Sequence, residues 1–417
     1  MRFSRRFAIA GGVLLLLGVF VVLGGWYEAK RSDPVQAAGD VDLSVTNGGD
    51  RGPGSLREAL FVADAAGGKA KILIRVSKIT IETALPPLVN PHGISIMGSE
   101  VGAEIDAHAL AGGPVLDVAG ANSSISGLSI RNCAGAAVLL RAARFRLTST
   151  TIESCDVGVE VADNASDLTL ERNRFVKNRV GVRFTASIPN AALVSNEFTA
   201  DADGGVWAVR GEPDIGKTAI SVRDNKFRND RMGILAGNIS MIVENNDLVD
   251  TREAAVHLIG TGIIVRGNRI SGGKGMGIVA ENARSVVIEK NELAHVAVYG
   301  VMVRGSANAL LRSNRVHNCG YGIAFVLGDA SSPSTAVDNL IIEPKNDGID
   351  VIGDSPILRR NSVLQARAYP LHVKDYQPPG GKVVRASPLL DNNTFGDDKA
   401  AVVAADADQL QATATPK

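Results

Sequence analysis

The chain is short of cysteine, of aromatic residues and of any excess charge. It has 3 Cys in 417 residues, 4% aromatics, and 44 basic against 44 acidic residues. So few cysteines exclude a disulfide-stapled scaffold and a four-cysteine zinc module. The balanced charge excludes a polybasic surface, so nucleic acid is not expected as a partner. At 45% hydrophobic residues the chain is too apolar to be disordered. Length alone would suggest two or three domains. Few aromatics combined with 45 Gly fit a repetitive β protein better.

One long apolar run is present. Arg2, Arg5 and Arg6 precede an uncharged stretch from Phe7 to Tyr27, long enough to cross a bilayer as a helix. The flanking charge puts the N-terminus in the cytoplasm and the remainder outside. Residues 7–27 are therefore expected to anchor the chain in the inner membrane. Cleavage as a signal peptide near Val35-Gln36-Ala37, with secretion, is the alternative. Either way the bulk of the chain is expected to be periplasmic or extracytoplasmic.

What dominates the rest is a repeat. On the pattern Φ-x-x-N-x-Φ the Asn column reads Asn173, Asn196, Asn225, Asn246, Asn268, Asn291, Asn314, Asn339 and Asn361, at intervals of 21 to 29 residues. Leu128 and Thr150 hold the same column earlier. A Gly then precedes alternating apolar positions, as in Gly277–Ala280, Gly300–Val303 and Gly348–Val351. A period near 22 with two short β-patterned pieces per repeat means a solenoid. The expected fold is all-β, a right-handed parallel β-helix of about 11–12 coils, roughly 50–60 Å long at the spacing of stacked strands. Asn suits its turn because it tolerates left-handed backbone and can bond along a ladder. Charges beside the column alternate in sign from coil to coil, which would set the register. Ser55-Leu56-Arg57-Glu58 is a capping box that opens a short helix to about Ala65, placed to cover the first coil. The expected organisation is an anchor or signal with linker over 1–37, a cap and first coils over 38–120, regular coils over 121–395, and a flexible tail over 396–417.

These residues carry a resemblance. Val45-Thr46-Asn47 with Gly52-Pro53-Gly54-Ser55-Leu56-Arg57-Glu58-Ala59 resembles the N-terminal segment of many secreted bacterial β-helix proteins. The Asn/Gly coils are similar to the repeats of the pectin-lyase-like superfamily, including NosD-like periplasmic proteins. The resemblance implies the fold over about residues 43–395. It implies no single activity, because the superfamily includes lyases, hydrolases, epimerases, tailspikes, adhesins and proteins without known catalysis.

Candidate chemistry lies on one face. The position two residues after the repeat Gly reads Glu160, Arg183, Trp207, Leu235, His257, Val279, Met302, Ala324, Asp350 and His372. In its middle and C-terminal part this column is partly apolar, as a saccharide groove would be. Trp207, His257, Met302, Asp350 and His372 are the candidate substrate contacts, with Trp207 as a stacking platform. Asp350, His372 and His257 are the candidate catalytic groups. Asp350 and His372 sit on adjacent coils and could pair. His257, four coils away at about 19 Å, cannot join them. The polygalacturonase and mannuronan-epimerase signatures are missing. Gly211 to Thr218 matches a phosphate-binding loop in letters but leads straight into the next coil, so no nucleotide is expected. Asp201-Ala-Asp203-Gly204 offers two carboxylates toward calcium without the full ligand set, and no cofactor is expected. His92, His108, His295 and His317 lack metal-ligand spacing. Cys133, Cys155 and Cys319 share one turn column. The first two are one coil apart, within reach of a disulfide in an oxidising compartment; otherwise all three are small turn residues.

The function expected is binding, assembly or modification of a cell-envelope or exported polysaccharide. The alternatives are a lyase, C5-epimerase or glycoside hydrolase of non-standard site, and, more weakly, an adhesin-like surface protein.

Overall fold

The structure, a computed structural model, describes residues 39–99, 102–162, 164–212 and 219–396, with the backbone of Val402–Ala404. The apolar segment 7–27 and the cleavage motif lie outside these residues. So does most of the tail assigned to 396–417, and so do residues 213–218 of the phosphate-loop pattern. Among the described residues no helix is long and apolar enough to cross a membrane.

The chain winds as a parallel β-solenoid. Three sheets run its length, with 15, 14 and 13 strands, and every neighbour in a sheet comes from the adjacent turn. The first sheet runs from Val41–Val45 to Leu389–Asp391, the second from Lys78–Thr80 to Thr394–Phe395, and the third from Leu116–Val118 to Val402–Ala404. That is about thirteen turns rather than the expected eleven or twelve. The difference lies before residue 121, where turns exist without the Asn column that makes later ones countable.

The short helix Leu56–Asp64 starts at Ser55, whose hydroxyl accepts from the Glu58 N–H at 3.3 Å. Glu58 returns the bond to the N–H of Gly54 at 2.5 Å, one residue earlier than a full capping box would take it. Leu56, Ala59, Leu60 and Ala63 are buried against the first turn, so the helix covers an otherwise open apolar end.

Inside, side chains stack in columns. Phe175, Phe198 and Phe227 lie face to face with centroids 4.8 and 4.7 Å apart. The repeat Gly exists to let them fit. A Cβ on Gly158, Gly181 or Gly205 would lie 2.7–2.8 Å from the ring atoms of the Phe one turn further on.

The corner between the first and second sheets holds the Asn ladder. Each Asn Oδ1 accepts from the backbone N–H and the Nδ2 of the Asn one turn earlier. Asn246 gives both to Asn268 at 2.9 and 3.0 Å, and Asn268 gives both to Asn291 at 3.0 and 2.9 Å. Each Nδ2 also donates to a strand carbonyl, as Asn268 does to Val243 O at 2.9 Å. The ladder reaches Asn393. The left-handed backbone falls one residue earlier than the sequence reading placed it. Arg172, Ser195, Asp224, Asn245, Lys290 and Ser313 have φ of 54–58°, and the ladder Asn residues do not. Asn is there for its amide, not its φ.

The next corner carries a second ladder in the cysteine column. Cys133 and Cys155 are bridged, with Cα atoms 4.3 Å apart. Cys155 N–H donates to Asn178 Oδ1 at 3.0 Å, Asn178 N–H to Asp201 Oδ1 at 2.8 Å, and Asp201 N–H to Asp230 Oδ1 at 2.8 Å. Asn178 Nδ2 also donates to Ile152 O at 3.1 Å. In Asp201 and Asp230 an oxygen, Oδ2, takes the place of that amide, and it is buried without a partner. Only a protonated carboxyl can supply the missing donor. Burial pushes Asp230 up to about 7, and burial with the neighbouring Asp230 charge raises Asp201. Asp203 instead pairs with Arg179 at 3.1 Å.

Asn268→Ala leaves the N–H of Asn246 buried and unpaired, takes one of the two acceptors from the Asn246 Nδ2, and removes a donor from the carbonyl of Val243. It should cost roughly 3–5 kcal/mol in urea unfolding, whereas Arg269→Ala on the same turn's surface should leave the midpoint nearly unchanged. Asp230 has a folded pKa above its unfolded one, so the folded state holds the extra proton and stability falls as pH rises from about 4 to about 7. Asp230→Asn restores the amide and should remove that slope, gaining roughly 2–4 kcal/mol at pH 8. Equal pH slopes in variant and parent would contradict this.

Candidate functional site

The alternating outward positions of the third sheet form one continuous column. Strand pairing sets Glu160, Arg183, Trp207, Leu235, His257, Val279, Met302, Ala324, Asp350 and His372 side by side, turn after turn. Trp207, whose turn is irregular in sequence, stands in register between Arg183 and Leu235. The column is not uniformly open. Leu235, Val279, Ala324 and Asp350 are buried, while Trp207, His257, Met302 and His372 are half-buried.

Two polar groupings interrupt it. In the middle, His257 Nε2 lies 3.3 Å from Glu281 Oε2, and Arg304 stands 3.7 Å from the other oxygen of Glu281. At the C-terminal end, His372 Nδ1 lies 3.2 Å from both Asp347 Oδ2 and Asp350 Oδ1. Asp350 and His372 are therefore brought together. His257 is four strands away, with its own partners. Met302 and Trp207 flank rather than join either grouping.

The C-terminal grouping is built by register. Asp350 is on strand Ile349–Ile352, and His372 faces it from strand Leu371–Lys374. Asp347 sits in the turn just before, its Oδ1 accepting from the Tyr369 N–H at 3.0 Å. Tyr369 places its ring 5.5 Å from that of His372. Tyr299 and Tyr321 are strand partners with ring centroids 4.8 Å apart. Burial and the neighbouring Asp347 carboxylate push Asp350 up to about 6, against the opposing pull of His372. Burial and the charge of Asp350 push the Tyr299 hydroxyl up to about 12. A carboxyl pair with an imidazole, walled by tyrosines, can exchange a proton with a bound ligand and stack on a flat apolar surface of it.

Asp347 and the three tyrosines were missed as site residues. The signal was in the column just before the repeat Gly. It is aliphatic or Met in many turns, as at Val157, Val180, Met232 and Met276, and then reads Tyr299, Tyr321, Asp347.

The model of the right-handed β-helix region matches residues 67–217 and 215–364. These matches span most of the sequence, and the chain belongs to the right-handed β-helix family. No curated protein matches the sequence. Among solved structures, tailspike protein 3 of bacteriophage CBA120 is 12% identical with a TM-score of 0.58, covering 95% of this chain and 70% of its own. A mutant tailspike of E. coli bacteriophage HK620, in complex with a hexasaccharide, is 13% identical with a TM-score of 0.56, over 87% and 80%. The A-module of a mannuronan C-5 epimerase from Azotobacter vinelandii is 11% identical with a TM-score of 0.50, over 88% and 100%. At these identities the likeness is one of fold.

Proposed function

We propose that the chain binds a cell-envelope or exported polysaccharide along the outer face of the third sheet and takes part in its assembly or modification. One observation carries the reading. The chain is only 4% aromatic and has five tyrosines, yet Tyr299, Tyr321 and Tyr369 gather at one end of this face beside Asp347, Asp350 and His372, with Trp207 further along it. Rings beside a half-buried imidazole and two buried carboxyls suit the alternating apolar faces and hydroxyls of sugars. The saccharide-bound tailspike shares only the fold and supplies a precedent for the ligand class.

The place of action in this proposal is outside the cytoplasm, with residues 7–27 as the anchor. The basic residues before that run support it, as does the Cys133–Cys155 bridge, because disulfides persist in oxidising compartments.

The test is retention of the full-length protein on a panel of immobilised neutral and acidic bacterial polysaccharides. One glycan should retain it. Trp207→Ala and Tyr321→Ala should each weaken binding about 3–10-fold, the worth of an aromatic stacking contact. Arg269→Ala, on the second sheet, should bind like the parent. Unchanged binding in both aromatic variants would remove the ligand from this face.

A second reading, turnover of the glycan, is favoured by the packing of Asp347 and Asp350 around His372. Incubation with the retained glycan should then release new reducing ends or unsaturated sugar ends, or exchange sugar C5 protons with solvent, and Asp350→Asn should abolish the change. Absence of all three signals with binding intact would leave a binding scaffold.

A further inference from the structure

We propose that Asp347, Asp350 and His372 form a binding site for one divalent transition-metal ion of the zinc class. Their ligand atoms, two carboxylate oxygens and an imidazole nitrogen, lie within 4.8 Å of one another. The two distances from His372 Nδ1, 3.2 Å to Asp347 Oδ2 and 3.2 Å to Asp350 Oδ1, are the telling ones. A tetrahedral ion with bonds of about 2.0–2.1 Å to nitrogen and oxygen holds its ligand atoms about 3.3 Å apart.

The polar groups of the cluster do not satisfy one another. Nδ1 can make one hydrogen bond at a time, and its contact with Asp347 has that geometry. Asp350 is only 3% exposed, and its Oδ1, aimed at the same nitrogen, has no hydrogen-bond partner. Asp347 is 7% exposed. Among the described residues neither carboxylate forms an ion pair with Lys or Arg; His372 is the ion-pair partner of both. Two buried carboxylates opposite a single imidazole are stabilised by a cation held between them.

The donor set selects the class. Calcium takes six to eight oxygen ligands, and this cluster offers three donors, one of them nitrogen. Zinc binds nitrogen and carboxylate oxygen together and keeps a fourth position for water or a ligand when the protein supplies three. The support is rigid. Asp350 and His372 are held on paired strands, and the Tyr369 N–H holds the far oxygen of Asp347. The fourth ligand would come from solvent or from a sugar hydroxyl or carboxylate, on the side where Tyr369 is 41% exposed. Sequence reasoning expected no metal here: it set Asp350 beside His372 but did not count Asp347, three residues before Asp350, as a site residue.

The inference does not depend on the glycan reading, because metal retention is measured without saccharide. Full-length protein is stripped with a chelator, dialysed against micromolar Zn²⁺ and assayed for metal, then reloaded with Co²⁺ for its visible spectrum. The expected result is one Zn²⁺ per chain, a Co²⁺ spectrum of tetrahedral intensity, and no displacement by excess Ca²⁺. Asp350→Asn and His372→Gln should each weaken retention more than about tenfold, as loss of one of three ligands implies. His372 is half-buried, so its variant keeps the test intact if Asp350→Asn fails to fold. His317→Gln, which removes another histidine–carboxylate contact, the 3.2 Å one to Glu343, should retain metal like the parent. The proposal is overturned if the parent holds no Zn²⁺, if His372→Gln holds as much as the parent, or if His317→Gln loses it equally.

Discussion

The constraint on which this structure depends is that the bends carrying the Asn ladder are buried, each against the same bend of the next turn. A strand can satisfy its backbone through the sheet, but a corner cannot, and an unpaired amide there is expensive. The Asn column solves this by lending each corner an amide of matching polarity. One side chain accepts from the turn before it and donates to the turn after it and to a strand carbonyl. Strand spacing, sheet register and the straightness of the outer column on the third sheet all follow from corners that repeat at one height. The second ladder shows the same solution under strain. Asp201 and Asp230 keep the acceptor but replace the amide with an oxygen, so a proton stands in for the missing donor.

The candidate site is a by-product of that regularity. Asp350 and His372 are 22 residues apart, yet register sets them face to face. The same register pairs Tyr299 with Tyr321. Side chains that a loop would have to search for are placed by main-chain hydrogen bonds alone. Polar groups can therefore be buried on an outer face, and Asp350 is an example.

The fold and the outer column were legible because both are periodic. Gly277, Gly300 and Gly348 fix the phase of their strands, and period-two alternation then says which side chains leave the core. What was not legible lies where the period is broken. Asp347, Tyr299 and Tyr321 occupy the residue before the Gly, where the corner gives way to the strand and alternation gives no direction. Asp201 and Asp230 stand in a column that reads Cys133, Cys155, Asn178, Asp201, Asp230, Thr251, so no single residue type marks it. The first turns, with strands such as Ala70–Ile74 and Ile94–Gly98, dispense with the Asn ladder and escape the count.

The charges beside the ladder have a consequence for how such a chain can change length. Arg223 and Lys226 belong to one turn, Glu244 and Asp247 to the next, Arg266 and Arg269 to the next, then Glu289 with Glu292, and Arg312 with Arg315; strand pairing sets each against the opposite sign. Each turn thus carries a sign. Removing or duplicating one turn in this region would bring two turns of the same sign together at both edges of the corner. Removing or duplicating two would restore the alternation. The natural unit of growth for this stretch of the solenoid is a pair of turns, as in a lattice whose repeat holds two unlike layers.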